Sequence, residues 1–251
     1  MTSIIRGALV VDGTGRDGYL ADVGIDGGRI TVIGSVGGRA DRGWDGRGLV
    51  LAPGFIDSHT HDDISVIKTP ELLPKVSQGV TTVVVGNCGI SASPVTLRAE
   101  LPDPMNLLGT AEDFCYPTFA SYRQAVDRSR PSVNVVALVG HTALRANQLD
   151  HLDRPANPGQ LRAMGAQLRE ALENGAAGLS TGLAYKNAFA APSAEVQVLA
   201  DQLAEFGGVY TTHLRTEFDG IIGALDEAFD LGRRARVPVI VSHLKCAGAG
   251  S

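Results

Sequence analysis

His59 and His61 stand one residue apart in the stretch Gly54-Phe55-Ile56-Asp57-Ser58-His59-Thr60-His61-Asp62-Asp63, a spacing that suits a shared metal ion. In an extended segment residues i and i+2 project to the same face, so both imidazoles can reach one ion while Thr60 turns away. The preceding run from Leu49 to Ile56 is largely apolar and would bring the pair out of a core. Three more donors occupy comparable places. Val83-Val84-Val85-Gly86-Asn87-Cys88 ends in a thiol, Val209-Tyr210-Thr211-Thr212-His213 in an imidazole, and Val239-Ile240-Val241-Ser242-His243 in another. Together these five side chains could hold one or two divalent ions. Imidazole and thiolate suit zinc best, each site needing three or four ligands and an open position for water. As a thiolate, Cys88 could bridge two ions. Taken singly, His213 and His243 read equally well as satisfied core histidines and Cys88 as a small buried hydrophobe. Their joint placement at strand ends favours the metal. His141 follows Val135-Val136-Ala137-Leu138-Val139-Gly140 and also falls at a strand end; a role behind the ligands or against substrate is expected there. His151 reads as a solvated loop residue, and Cys115 and Cys246 as packing residues.

The elements that must carry these donors are legible from about residue 53 onward, where apolar strands alternate with amphipathic helices, the pattern of a parallel α/β core. Strands are predicted at 80–86, 133–140, 176–181, 208–212 and 237–242, with another ending at His59. In a (β/α)8 barrel, typically about 250 residues, the C-terminal ends of all strands converge on the catalytic face. A chain of 251 residues permits that fold. Helices are predicted from Asn157-Pro158 to Asn174-Gly175, from about Ser193 to Phe206, and from about Gly220 to Arg234, where two arginines complement the dipole of the last turn. The segment 91–119 carries four prolines and little periodicity, so a loop over the site is expected. Residues 1–52 read differently, as short β runs punctuated by Asp12-Gly13, Asp26-Gly27-Gly28 and Gly37-Gly38. The expectation is an antiparallel β unit, the first part of a small β-sandwich domain at 1–52, followed by a TIM-like barrel domain at 53–251 with about six strands present.

Composition narrows the partners. A net charge of −5 without a Lys/Arg cluster argues against nucleic acid and anionic membranes, and leaves a small molecule as the expected partner. No apolar run is long enough to span a bilayer. The start, Met1-Thr2-Ser3-Ile4-Ile5-Arg6, lacks the basic region and apolar stretch of a secretory signal, so a cytoplasmic location is expected. Three cysteines in no paired spacing fit reduced thiols rather than a disulfide framework.

The stretches GFIDSHTHDD, TTVVVGNCGIS, GLSTGLAY, YTTHLR and VSHLK resemble the amidohydrolase superfamily and, within it, the D-aminoacylase (N-acyl-D-amino-acid deacylase) branch. His-X-His is common to the superfamily; GNCG and GLSTGLAY are the specific parts. Many members bridge two metals through a carboxylated lysine at the end of strand four. Here Leu179-Ser180-Thr181-Gly182 offers no lysine, which fits the branch that bridges through cysteine. The resemblance implies a tightly bound zinc on Cys88, His213 and His243, and a second, weaker site on His59, His61 and Cys88. It implies substrate contacts at Tyr185 and Lys245 and hydrolysis of N-acyl-D-amino acids to a carboxylate and a D-amino acid. Zinc would supply hydroxide near neutral pH and polarise the amide carbonyl. The implied proton acceptor, an aspartate at the end of strand eight, has no counterpart after His243, and Asp57, Asp62 and Asp63 are not assigned its role. The expectation is therefore a chain truncated before that aspartate. Two alternatives stand beside it, a non-catalytic metal-binding fragment and a cyclic-amide hydrolase, the latter disfavoured by the missing lysine.

Overall fold

The computed structural model describes residues 1–97 and 100–248; residues 98–99, within the expected 91–119 loop, and the tail 249–251 lie outside the described residues. The chain divides into two compact units, Met1–Phe55 and Ile56–Ser251.

The first unit is a sheet of five strands, β1 (Ser3–Val10), β2 (Tyr19–Asp26), β3 (Arg29–Gly34), β4 (Arg42–Asp45) and β5 (Val50–Leu51), in the order β3-β2-β1-β4 with β5 also on β1. β2 and β3 form a hairpin closed by Gly27 and Gly28, both at positive φ (54° and 75°), as the tight two-residue turn between twisted strands requires. The expected antiparallel unit is corrected here. β1–β2 and β2–β3 are antiparallel, but β4 and β5 pair parallel to β1, because the chain crosses to the far edge of β1 after β3 instead of turning back on it. β4 itself, Arg-Gly-Trp-Asp, has no strand pattern and was not expected; it owes its shape to its pairing with β1.

The second unit is α/β. Its strands are β6 (Phe55–Asp57), β7 (Val80–Val85), β8 (Asn134–Ala137), β9 (Val139–Gly140), β10 (Gly178–Gly182), β11 (Val209–His213) and β12 (Val239–Val241), in two sheets ordered β6-β7-β8 and β9-β10-β11-β12. Only Leu138 separates β8 from β9, so the spatial order follows the chain order, and the pairs β7–β8, β9–β10, β10–β11 and β11–β12 are all parallel. Between the strands run α1 (Ser65–Lys68), α2 (Leu73–Val76), α3 (Phe119–Ser129), α4 (His141–Gln148), α5 (Pro158–Glu173), α6 (Lys186–Phe189), α7 (Ser193–Ala200) and α8 (Ile221–Ala235). α5 starts where the sequence says it should. Asn157 accepts from the Gln160 amide at 2.9 Å, Gln160 reaches back to the Asn157 amide at 2.9 Å, and Pro158 fills the first turn. The helix expected over 193–206 stops at Ala200 and continues as a 3-10 turn over Leu203–Phe206, closed by Gly207 in the left-handed region.

One apolar core unites Val83, Val85, Val139, Leu179 and Tyr210 of the strands with Met164, Leu168, Val196, Leu199 and Leu231 of the helices. The 91–119 segment does more than cover a site: Val95, Met105, Leu108 and Phe114 are buried in this core. No helix among the described residues is long and apolar enough to cross a membrane.

Candidate metal and substrate site

His59 and His61 lie just beyond β6, anchored by the Thr60 amide, which donates to the Val84 carbonyl of β7 at 3.2 Å. Their rings meet edge to face with centroids 5.4 Å apart. The intervening Thr60 is buried on the other side, its hydroxyl on Asp62 and within 3.2 Å of the Lys75 ammonium. Lys75 also pairs with Asp57 at 2.7 Å and Asp62 at 3.1 Å. Thr60 thus turns into an ion-paired cluster while the two imidazoles face each other.

Cys88 enters from the loop after β7. Gly86, Cys88 and Gly89 all have positive φ, at 78°, 55° and 75°. For a residue with a Cβ that conformation costs about 1–3 kcal/mol, so the surroundings must over-determine it. A Cβ at Gly86 would strike the Leu138 carbonyl, and one at Gly89 the Gly182 amide, so both glycines are dictated by close backbone approach. His213 closes β11 and His243 follows β12, itself at φ 32°.

Three of the four expected imidazoles meet the Cys88 sulfur directly or nearly so. Sγ lies 3.2 Å from His59 Nε2, 3.5 Å from His243 Nε2 and 4.0 Å from His213 Nδ1, and the last two nitrogens are 3.1 Å apart. His61 completes a second triad, so that His59, His61, Cys88 and Cys88, His213, His243 each bring ligand atoms within 4.8 Å of one another. A tetrahedral ion at ~2.3 Å from sulfur and ~2.0–2.1 Å from nitrogen separates S from N by about 3.6 Å and N from N by about 3.3 Å. The S–N edges of 3.2, 3.5 and 4.0 Å bracket the first value, and the N–N edge of 3.1 Å lies just under the second. His61 Nδ1, moreover, is a buried nitrogen with no hydrogen-bond partner among the described residues, a group that a cation would satisfy. The donor set therefore fits a soft divalent cation.

Electrostatics suit the same use. Burial, assisted by the neighbouring imidazoles, lowers His59 to about 4, and burial lowers His213 to about 4 against the pull of Glu217, so both are neutral donors near pH 7. Burial also lowers His61. The Cys88 thiol is pushed by burial up to about 11, so without a cation it keeps its proton. Tyr185, whose hydroxyl is 3.3 Å from His213 Nδ1, is raised by burial and by Cys88, and remains a phenol. Lys245 points its ammonium at Glu217 and lies 3.4 Å from His243 Nδ1.

Glu217 is the residue that sequence reasoning missed. Its carboxylate accepts from His243 Nδ1 at 3.1 Å, stands 3.8 Å from His213 Nε2 and pairs with Lys245. Burial would raise its carboxyl, but the Lys245 ammonium and the facing His213 and His243 side chains outweigh it and leave the group lowered. With Nδ1–H committed to Glu217, His243 turns the Nε2 lone pair toward Cys88. A lone Glu in Thr216-Glu217-Phe218 offers no spacing by which it could be found.

His141 is a correction. It has no exposed surface, and its Nε2 lies 3.0 Å from Glu195 Oε1, so no substrate can touch it. The buried place of a residue opening α4, between core strands and α7, explains this. Cys115 and Cys246, expected to pack, are exposed; His151 is exposed as expected.

The chain is similar to known proteins over nearly its whole length. A sequence profile described as the amidohydrolase family matches residues 42–247. The chain is 46% identical over 247 residues to an N-acyl-D-aspartate deacylase of Alcaligenes xylosoxydans xylosoxydans, covering 98% of this chain and 49% of that protein. It superposes with a TM-score of 0.93 and 44% identity on a D-aminoacylase with a binuclear metal centre, activated by one metal and attenuated by a second, covering 96% of this chain and 51% of that one. The N-acyl-D-glutamate deacylase of Bordetella bronchiseptica, complexed with zinc and a phosphonate mimic of the tetrahedral intermediate, gives a TM-score of 0.93 at 41% identity, covering 98% and 52%. The chain spans about half the length of each of these proteins.

Proposed function

Because the chain belongs to the amidohydrolase family, we propose that its second unit carries the metal-binding part of an enzyme that hydrolyses N-acyl-D-amino acids to a carboxylate and a D-amino acid. The observation that carries this reading is the Cys88–His213–His243 triad, whose edges of 3.5, 4.0 and 3.1 Å suit one zinc ion. The resemblance to the D-aminoacylase branch, supported by the deacylases above, supplies the substrate class. In this reading Cys88, His213 and His243 hold a tight zinc, and His59 and His61 share Cys88 in a weaker second site. The strands β6 to β12, in chain order and parallel from β7 to β8 and from β9 to β12, are read as part of a (β/α)8 wall whose strand ends carry the donors.

Bound there, zinc would supply an acidified water and a Lewis acid for the amide carbonyl. The chain's own residues do the rest. Tyr185, kept protonated by burial, can donate its O–H to a carbonyl or carboxylate oxygen of the substrate. Lys245, about half exposed, offers its ammonium to the substrate carboxylate while Glu217 holds its position. Ser180 and Thr181 occupy the strand-four position without a bridging lysine, which leaves bridging to Cys88 and weakens the cyclic-amide alternative.

A second reading, a metal-binding polypeptide without turnover of its own, is favoured by one observation. Every described carboxylate near the donors is engaged: Asp57 and Asp62 by Lys75, Asp63 by the Gly86 and Ala92 amides, Glu217 by His243 and Lys245. None of them stands beside the donors without a protein partner. Zinc content and hydrolysis of N-acetyl-D-aspartate, D-glutamate and D-methionine, measured on the 251-residue chain, separate the two. About one tightly held zinc is expected, lost in Cys88→Ala. Full metal content in that variant would sink the ligand assignment, and turnover by the chain would sink the second reading.

A further inference from the structure

We propose that Asp63 and Ser180 are positioning residues that hold the Cys88 loop from opposite sides and fix the thiol toward the imidazoles. The metal consequence of this rests on the function proposed above; the loop geometry does not. Asp63 is 1% exposed, and its carboxylate spans the loop, Oδ2 accepting from the Gly86 amide at 3.2 Å and Oδ1 from the Ala92 amide at 3.1 Å. Its own carbonyl accepts from the Tyr122 hydroxyl at 2.8 Å, which ties the bracket to α3. Across the loop, Ser180 has no exposed surface; its hydroxyl accepts from the Gly89 amide at 3.0 Å and donates to the Gly86 carbonyl. Gly86 is thus gripped through its N–H by one residue and through its C=O by the other. Asn87 adds a bond to the Val84 carbonyl at 2.8 Å, and the Gly89 carbonyl accepts from the Thr142 amide at 2.8 Å.

This is the over-determination that a cysteine at φ 55° needs. It also gives two unremarkable residues a role. Asp63, at the end of the His-X-His stretch, links the strand end bearing His59 and His61 to the loop bearing Cys88. Ser180 stands within the strand-four segment where relatives in the wider superfamily carry a lysine, and here that strand contributes a loop clamp in place of a metal bridge.

The test uses the full chain with Cys115→Ser and Cys246→Ser, both exposed positions, so that Cys88 is its single thiol. Labelling by a small disulfide reagent is followed on metal-free protein, which decides the bracket whether or not the cluster loads with metal. Ser180→Ala is expected to label about tenfold faster with Tm lowered by only a few degrees, because the buried loop opens more often. Thr181→Val is the control: it neighbours Ser180 on β10, but its hydroxyl bonds Tyr210 and Thr212 of β11 at 2.8 Å and makes no hydrogen bond to the loop among the described residues. Cobalt is the second probe, with Ser180→Ala expected to bind ~10-fold more weakly and to lose intensity in the thiolate-to-cobalt absorption band. Asp63→Asn should act the same way wherever it folds. Labelling of Ser180→Ala at the parental rate, or equal acceleration by Thr181→Val, would overturn the proposal.

Discussion

Glu217 shows how much one carboxylate can organise. It faces two imidazoles and an ammonium at once, at 3.1 Å from His243 Nδ1, 3.8 Å from His213 Nε2 and in contact with Lys245. The first contact selects the His243 tautomer that leaves Nε2 free, and the last fixes a cation beside the donors. Glu217→Gln keeps the shape and an acceptor for Nδ1–H but removes the charge. Metal affinity, read by competition with a chromogenic chelator, is expected to fall about tenfold. Unchanged affinity would show that Glu217 serves Lys245 alone. The donors are readable in the sequence because Cys88, His213 and His243 each follow a β-branched run and His59 and His61 stand one residue apart. Glu217 is not readable, since a loop, and not a strand register, brings it to the site. Asp63 was visible as a neighbour of His61, but nothing in its spacing reveals that its bonds reach 23 and 29 residues ahead.

At the scale of elements, a buried ion pair links α4 to α7. Arg145 and Glu195 have almost no exposed surface; Nη1 lies 2.5 Å from Oε1, and the Arg145 guanidinium also binds the carbonyls of Leu152, Arg154 and Asn187. Burial would raise the Glu195 carboxyl, yet the His141 hydrogen bond, the Ala156 amide and Arg145 hold it at about 2, and burial keeps His141 neutral and lowered. Both shifts point the same way. The unfolded chain binds protons on His141 below its ordinary 6.5 and on Glu195 below its ordinary 4.5, where the folded chain does not. Stability should therefore decline as pH falls below about 6.5 and decline further between about 4.5 and 2. Glu195→Gln leaves Arg145 buried without its counter-charge and should cost about 3–5 kcal/mol near neutrality, while flattening the lower part of the pH profile. Urea midpoints against pH measure both; a variant that keeps the parental slope below pH 4.5 would remove Glu195 from the account. Here too the sequence shows only part. The amphipathic helices and the strands of the second unit announce themselves through 3.6- and 2-residue periods, whereas the Arg145–Glu195 pair, 50 residues apart, comes from packing alone.

For the whole molecule, the site is where distant parts of the chain are made to depend on one another. Cys88 lies 29 residues from His59, 125 from His213 and 155 from His243, and the four belong to the ends of β6, β7, β11 and β12. Without a cation these ends are joined by parallel ladders and by the core beneath them. A cation on the triads would add a direct link that exists only when all the strand ends are in place, so it must stabilise the folded chain by its binding free energy. At free zinc ~100 times Kd that amounts to about 2.7 kcal/mol. For a protein of this size it corresponds to a rise in Tm of roughly 5–10 °C, reversed by a chelator. Cys88→Ala should lose most of that rise because both triads share the sulfur. His61→Ala touches only the second triad, so it should keep most of the rise and lose only the part that appears at high zinc. Equal losses in the two variants would mean that the five donors form one site instead of a tight triad with a weaker neighbour.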